Sequence, residues 1–147
     1  MKIKGLDRVA ILVRDMDKAV RFFSQKLGIQ FTELPGAEAM GMRASISLDC
    51  QMELISPVLP LPEAAPAHIK RWTQLLGDKE NVLVALSFRV QDADKTVSEL
   101  ENAGVSIEMR FDLPEIPAWS IRNLKELIIE EKDTLGIPVS FVEYERM

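Results

Sequence analysis

Arg8 stands second in the run "DRVAILV", with Ala10 and Leu12 on its own strand face and Val9, Ile11 and Val13 on the other. A guanidinium stays charged, has no acceptor atom, and can grip a carboxylate bidentately through its planar fork. Such a group on so apolar a strand asks for an acid, from the chain or from a ligand. Other reactive residue types are scarce. Cys50 is the only cysteine and His68 the only histidine. One thiol makes no internal disulfide and no cysteine cluster for a metal, and the sequence predicts an inert thiol buried beside a strand end. One histidine, far from any paired nucleophile, argues against a Ser–His triad. No GxSxG elbow, Walker loop or GxGxxG run occurs. The acidic run "EEKD" ending at Asp133 reads as a solvated strand end.

The elements that must position Arg8 occur twice. "VRDMDKAV" from Val13 and "VQDADKTV" from Val90 share the pattern V-x-D-x-D-K-x-V, 77 residues apart. Each follows an apolar strand pattern and opens a helix. Asp15 and Asp92 are N-cap candidates, and Asp17 and Asp94 fall in the first turn, where the helix dipole favours acids. The helices continue with Ala19, Val20, Phe23 and Leu27 in one copy and Ala93, Val97, Leu100 and Ala103 in the other, then stop at Gly28 and Gly104. Three strand-like segments follow each helix: "IQFTEL", "RASISLDC" and "QMELISPV", then "VSIEMRF", "NLKELIIEE" and "IPVSFVEY". Two strand–helix–three-strand copies result, each with a helix covering one sheet face. Between them, the proline-rich "SPVLPLPEAAP" predicts an extended connector, followed by a short helix with Ile69, Trp72 and Leu76 on its packed side. Trp119, in the loop "PEIPAWSI", is expected to anchor that loop or to form a lid.

Composition narrows the function classes. The 147 residues are 47% hydrophobic and 28% charged, a globular balance, with a net charge of −5 and a pI near 5.0. With no basic run, nucleic acid and anionic membranes are not expected partners. The apolar run Val9–Val13 is too short to span a bilayer, and "MKIKGLDR" lacks the apolar region of a signal peptide. A cytoplasmic protein is expected.

At "LDRVAILVRDMDKAVRFFSQKLGI", "MELISPV", "LSFRVQDADKTVSELENAGV" and "DTLGIPVSFVEYE" the chain resembles the vicinal oxygen chelate superfamily. That group holds glyoxalase I, methylmalonyl-CoA epimerase, extradiol dioxygenases, and the bleomycin and fosfomycin resistance proteins. The flavour nearest to this chain is methylmalonyl-CoA epimerase. The resemblance implies an α+β fold in which two βαβββ modules form a curved, cup-like mixed sheet with helices outside. The modules would span residues 1–58 and 81–147, with the connector and short helix at residues 59–80, in one glyoxalase-like domain.

Metal-using members take two ligands per module, one from the first strand and one from the last. Those positions fall here on Arg8 and Glu53 in the first module and on Ala85 and Ser140 in the second. The internal repeat independently matches Arg8 to Ala85. Arginine and alanine cannot ligate and serine is weak, so no metal and no cofactor are expected. Arg8 would take the ion's place and meet Glu53, since an unpaired charge in a partly dry cavity is costly. The pair would either plug a defunct site or hold a small anionic or carbonyl compound on Arg8 with Glu53 as the candidate base. A carboxylate tied to arginine is a weaker base, which counts against acid–base chemistry.

Strand alternation adds inward candidates. On "RASISLDC", Ala44, Ile46 and Leu48 are expected under the helix, leaving Arg43, Ser45, Ser47 and Asp49 facing the cavity. Gln51 would accompany Glu53 on the fourth strand, and Leu83, Ala85, Ser87 and Arg89 would face inward from the second copy. Arg43, Asp49 and Arg89 are expected at open strand ends in water. The ligand set is then Arg8, Ser45, Ser47, Gln51, Glu53, Ser87 and Ser140. The expected function is binding of a small polar or anionic molecule in a metal-free cavity, by a homodimer. The alternatives are a metal-independent isomerase, epimerase or lyase acting on an acyl or carbonyl compound such as an acyl-CoA, and a structural subunit with a collapsed cavity.

Overall fold

The computed structural model describes the backbone of residues 1–147 and every side chain except that of Leu83, whose expected inward orientation therefore lies outside the described residues. The elements run β1 (Ile3–Val13), α1 (Met16–Leu27), β2 (Thr32–Glu33), β3 (Met42–Ser47), β4 (Met52–Pro57), α2 (Ala67–Leu76), β5 (Asn81–Val90), α3 (Ala93–Asn102), β6 (Ile107–Ile116), β7 (Ile121–Ile129) and β8 (Val139–Arg146). The strand–helix–three-strand order is present twice, and the fold class is α+β. The chain forms two compact units, Ala10–Val84 and Met1–Val9 with Ala85–Met147. The first strand thus begins in one unit and ends in the other.

The repeated motif works locally as its residues dictate. The Asp15 carboxylate accepts from the Lys18 backbone N–H at 3.1 Å, and that of Asp92 from Lys95 N–H at 2.9 Å. Gly28 closes α1 at φ 71°, a left-handed cap whose N–H donates to the Phe23 and Ser24 carbonyls.

In the unit Ala10–Val84, β3 pairs antiparallel with both β2 and β4. Its core joins Val13, Met16 and Leu54, with Ile11, Val20 and Phe23 packed on it. Trp72, Ile69 and Leu76 of α2 are buried, as the sequence predicts. Gly41 is needed where the connector passes. A Cβ there would lie 3.0 Å from Pro62 and 3.1 Å from Ala65, at a φ of 84° that side chains rarely adopt.

In the other unit, β5 runs parallel to β8, while β7 pairs antiparallel with β8 and β6. Leu127, Ile129 and Phe141 pack with Val90, Ala93 and Leu100, which sets α3 against one face of this sheet. Glu143 accepts from the Ala93 N–H at 2.6 Å, tying β8 to the start of that helix. Truncating Leu127, which is fully buried, would cost about 2–5 kcal/mol.

Two expectations are corrected here. Cys50 is exposed in the β3–β4 turn rather than buried. Leu27 is exposed at the end of α1, past the packed stripe. Trp119 is buried in a short 3-10 turn at Pro117–Trp119 and anchors its loop, the first of the two roles expected of it. The last three residues of "EEKD", Glu131–Asp133, form another 3-10 turn, with Asp133 accepting from the Ser106 N–H at 2.8 Å.

Candidate functional site

Arg8 is only 4% exposed and is surrounded by acids and hydroxyls of its own unit. Its Nη2 donates to both carboxylate oxygens of Glu126, at 2.9 and 3.1 Å. Its Nη1 donates to Asp7 Oδ2 at 2.9 Å and to Ser87 Oγ at 3.3 Å. Ser140 completes the ring, its Oγ 2.9 Å from both Glu126 Oε1 and Ser87 Oγ. Charge assistance makes these strong hydrogen bonds, and their low-dielectric surroundings make them costly to break singly.

Register explains why these residues meet. Ser87 on β5 lies opposite Ser140 on β8, and Phe88 opposite Phe141. Phe141 packs under α3, so both serines point to the sheet's other face. On β7, Leu127 also lies under the helix, which turns Glu126 and Ile128 to the serine face. The cluster continues through Tyr144, whose hydroxyl donates to Asp7 Oδ1 at 2.7 Å. Burial first, and that hydrogen bond second, push the Tyr144 hydroxyl up to about 12, so it remains a donor at neutral pH. Arg89 lies 4.1 Å over the Tyr144 ring and donates to the Tyr144 carbonyl at 2.6 Å.

The expected residues thus divide. Arg8, Ser87 and Ser140 come together as one cluster. Arg89, expected in water, is half-buried on Tyr144. Ser45 and Ser47 are corrected: β3 pairs Ser45 with Leu54 and Ser47 with Met52, and Leu54 lies in the core beneath α1. The two serines therefore face the helix, and Ala44 and Ile46 take the other face, where Ile46 lies opposite Glu53. A one-residue error of phase inverts a whole strand, and β3 is buried on both faces, so polarity does not mark its sides. Gln51 is corrected too. It sits exposed in the turn at φ 55°, before β4 begins at Met52. Arg43, half-buried, ties Asp17 at 3.0 Å and Glu33 at 2.9 Å. Glu53 is buried on β4 in the unit Ala10–Val84.

Sequence reasoning missed Glu126, Asp7 and Tyr144. Glu126 was within reach, because alternation along "NLKELIIEE" turns it away from the Leu127–Ile129 side. Asp7 and Tyr144 carried no comparable signal, being 137 residues apart.

The residues do not fit the divalent ion that the resemblance associates with these positions. Arg8 places a cation there already bonded to two carboxylates, Ala85 has no donor, and Ser140 is engaged with Glu126 and Ser87. Among the described residues no group of three or more His, Cys, Asp or Glu side chains could hold a metal. No helix there is long and apolar enough to cross a membrane.

A crystal structure of methylmalonyl-CoA epimerase from Mycobacterium tuberculosis is similar at a TM-score of 0.73 and 24% identity, covering 96% of this chain and 88% of that one. A Streptomyces coelicolor methylmalonyl-CoA epimerase variant, in complex with 2-nitronate-propionyl-CoA, is similar at 0.69 and 18% identity, covering 96% and 97%. A Bacillus halodurans C-125 protein titled hypothetical is similar at 0.71 and 16% identity, covering 97% and 95%. These likenesses carry the fold alone. No curated protein matches in sequence. The family model of the Glyoxalase/Bleomycin resistance protein/Dioxygenase superfamily matches residues 5–115, and with the module order running twice through the chain, this protein belongs to that superfamily.

Proposed function

We propose that this protein binds a small polar molecule on the Arg8–Glu126–Ser140–Ser87 cluster, without a divalent metal and without chemistry. The observation that carries the reading is the enclosed guanidinium, held by Glu126 through both carboxylate oxygens. A cation fixed in this way supplies the positive charge that an ion would otherwise bring, and it needs no open coordination position. Glu126 is the member a ligand would meet, its side chain 14% exposed against 5% for Arg8 and 4% for Asp7. The reading keeps the protein in the cytoplasm and as a homodimer.

Two measurements test it. Elemental analysis of the protein after dialysis, and thermal melts with Zn²⁺, Ni²⁺, Co²⁺ or Mn²⁺ against EDTA, are expected to show no stoichiometric ion and no shift in Tm. A screen of small polar fragments by NMR is expected to move the amide resonances of Ser87, Glu126 and Ser140. An ion retained in stoichiometric amount overturns the metal-free reading.

A second reading is supported by the structural likeness to proteins titled methylmalonyl-CoA epimerase. In it the chain is a metal-independent epimerase of an acyl-CoA, with Glu53 as base. Removing and returning a proton beside a thioester carbonyl exchanges that proton with solvent. Methylmalonyl-CoA incubated with the protein in D₂O would take up deuterium at that carbon, and Glu53→Gln would abolish the uptake. No uptake above the protein-free control sinks this reading.

A further inference from the structure

Resting on that reading of the cluster, we infer the class of molecule it takes: an amphipathic compound with an uncharged or cationic hydrogen-bond-donating head on Glu126 and a hydrocarbon body along β6 and β7. Directly opposed residues of antiparallel strands share a face. Phe111 lies opposite Glu126 and Met109 opposite Ile128, and Ile128 in turn lies opposite Ser140. The row of residues that begins with Ser87 and Ser140 therefore ends in Ile128 and Met109, and the row through Glu126 ends in Phe111. Met109, Phe111 and Ile128 are half-buried, and Leu113, the next residue on that face of β6, is 38% exposed. A polar floor thus continues into an apolar shelf on one sheet face.

Charge selects the head. Arg8 holds two carboxylates, Asp7 and Glu126, so these three groups carry a formal charge of −1. A ligand carboxylate would meet the like charge of Glu126 and reach Arg8 only by displacing it. A hydroxyl, amide or ammonium donor meets an acceptor already in place. The shelf selects the body, since each methylene laid on it leaves water.

NMR titration of the whole protein with 1-butylamine, 1-hexylamine, 1-hexanol and hexanoate tests both halves. Hexylamine is expected to bind roughly tenfold more tightly than butylamine, from two further buried methylenes. Hexanoate is expected to bind at least tenfold more weakly than hexylamine or hexanol. Phe111→Ser, and Leu113→Ser as a milder second variant, reduce the dependence on chain length and keep the preference for the donor head. Glu126→Gln does the reverse. Equal binding of the two amines, or a preference for hexanoate, with the Ser87, Glu126 and Ser140 resonances still moving, overturns this inference and leaves the cluster as a binding site. If none of the four probes moves those resonances, both the inference and the reading beneath it fall.

Discussion

The two copies of V-x-D-x-D-K-x-V build the same helix start and then part. In each, the second aspartate caps nothing but reaches an arginine on a strand: Asp17 lies 3.0 Å from Arg43, and Asp94 lies 2.6 Å from Arg110. These arginines hold the carboxyls of Asp17 and Asp94 below the usual carboxylate range, with Lys125 the larger cause for Asp94. Beyond that point the copies put their serines to different uses. Ser45 and Ser47 lie in the layer under α1, whereas Ser87 and Ser140 face away from α3 and close on Arg8 and Glu126. A repeat conserves what a short segment can enforce alone. It does not conserve what a strand presents to its neighbours.

The contrast between enclosed and surface ion pairs can be broken most directly at Arg8. Arg8→Met leaves Asp7 and Glu126 without their cation, and should cost about 3–5 kcal/mol in urea unfolding. Arg43→Met, in the other copy, removes a pair that is a third exposed on the arginine side, and should cost under about 1 kcal/mol. Equal losses would show that enclosure makes no difference here.

Acid should act next, and on the unit that lacks the Arg8 cluster. His68 is buried against Trp72, ring centres 4.9 Å apart, and burial, with Arg71 nearby, lowers it from 6.5 to about 4. The unfolded chain therefore binds the proton more readily. Stability is full above pH 6.5 and falls as pH drops toward 4, by up to roughly 3 kcal/mol. Hydrogen exchange should show protection in α2 weakening over that window, and His68→Phe should flatten the slope. An unchanged slope in the variant would assign the acid sensitivity elsewhere.

The smallest effects sharpen the likeness rather than the difference. Asp15→Ala and Asp92→Ala each remove one N-cap bond and should each cost about 1 kcal/mol in thermal or urea unfolding. A gap between them larger than that cost would mean the two helix starts are not equivalent.

Much of this was legible beforehand in the chain. Helix starts at Asp15 and Asp92, the stop at Gly28 and the twice-run element order all rest on interactions within a few residues. Caps, turns and apolar periods need no distant partner. The side of β3 was not legible, because a strand buried on both faces carries no polarity contrast to set its phase. The face of Glu126 was legible, but its pairing with Arg8 was not, since the two are 118 residues apart and meet only through the pairing of β7 with β8. Local backbone chemistry thus determined the elements, while register, a property of strands brought together from far along the chain, decided which charges are neighbours.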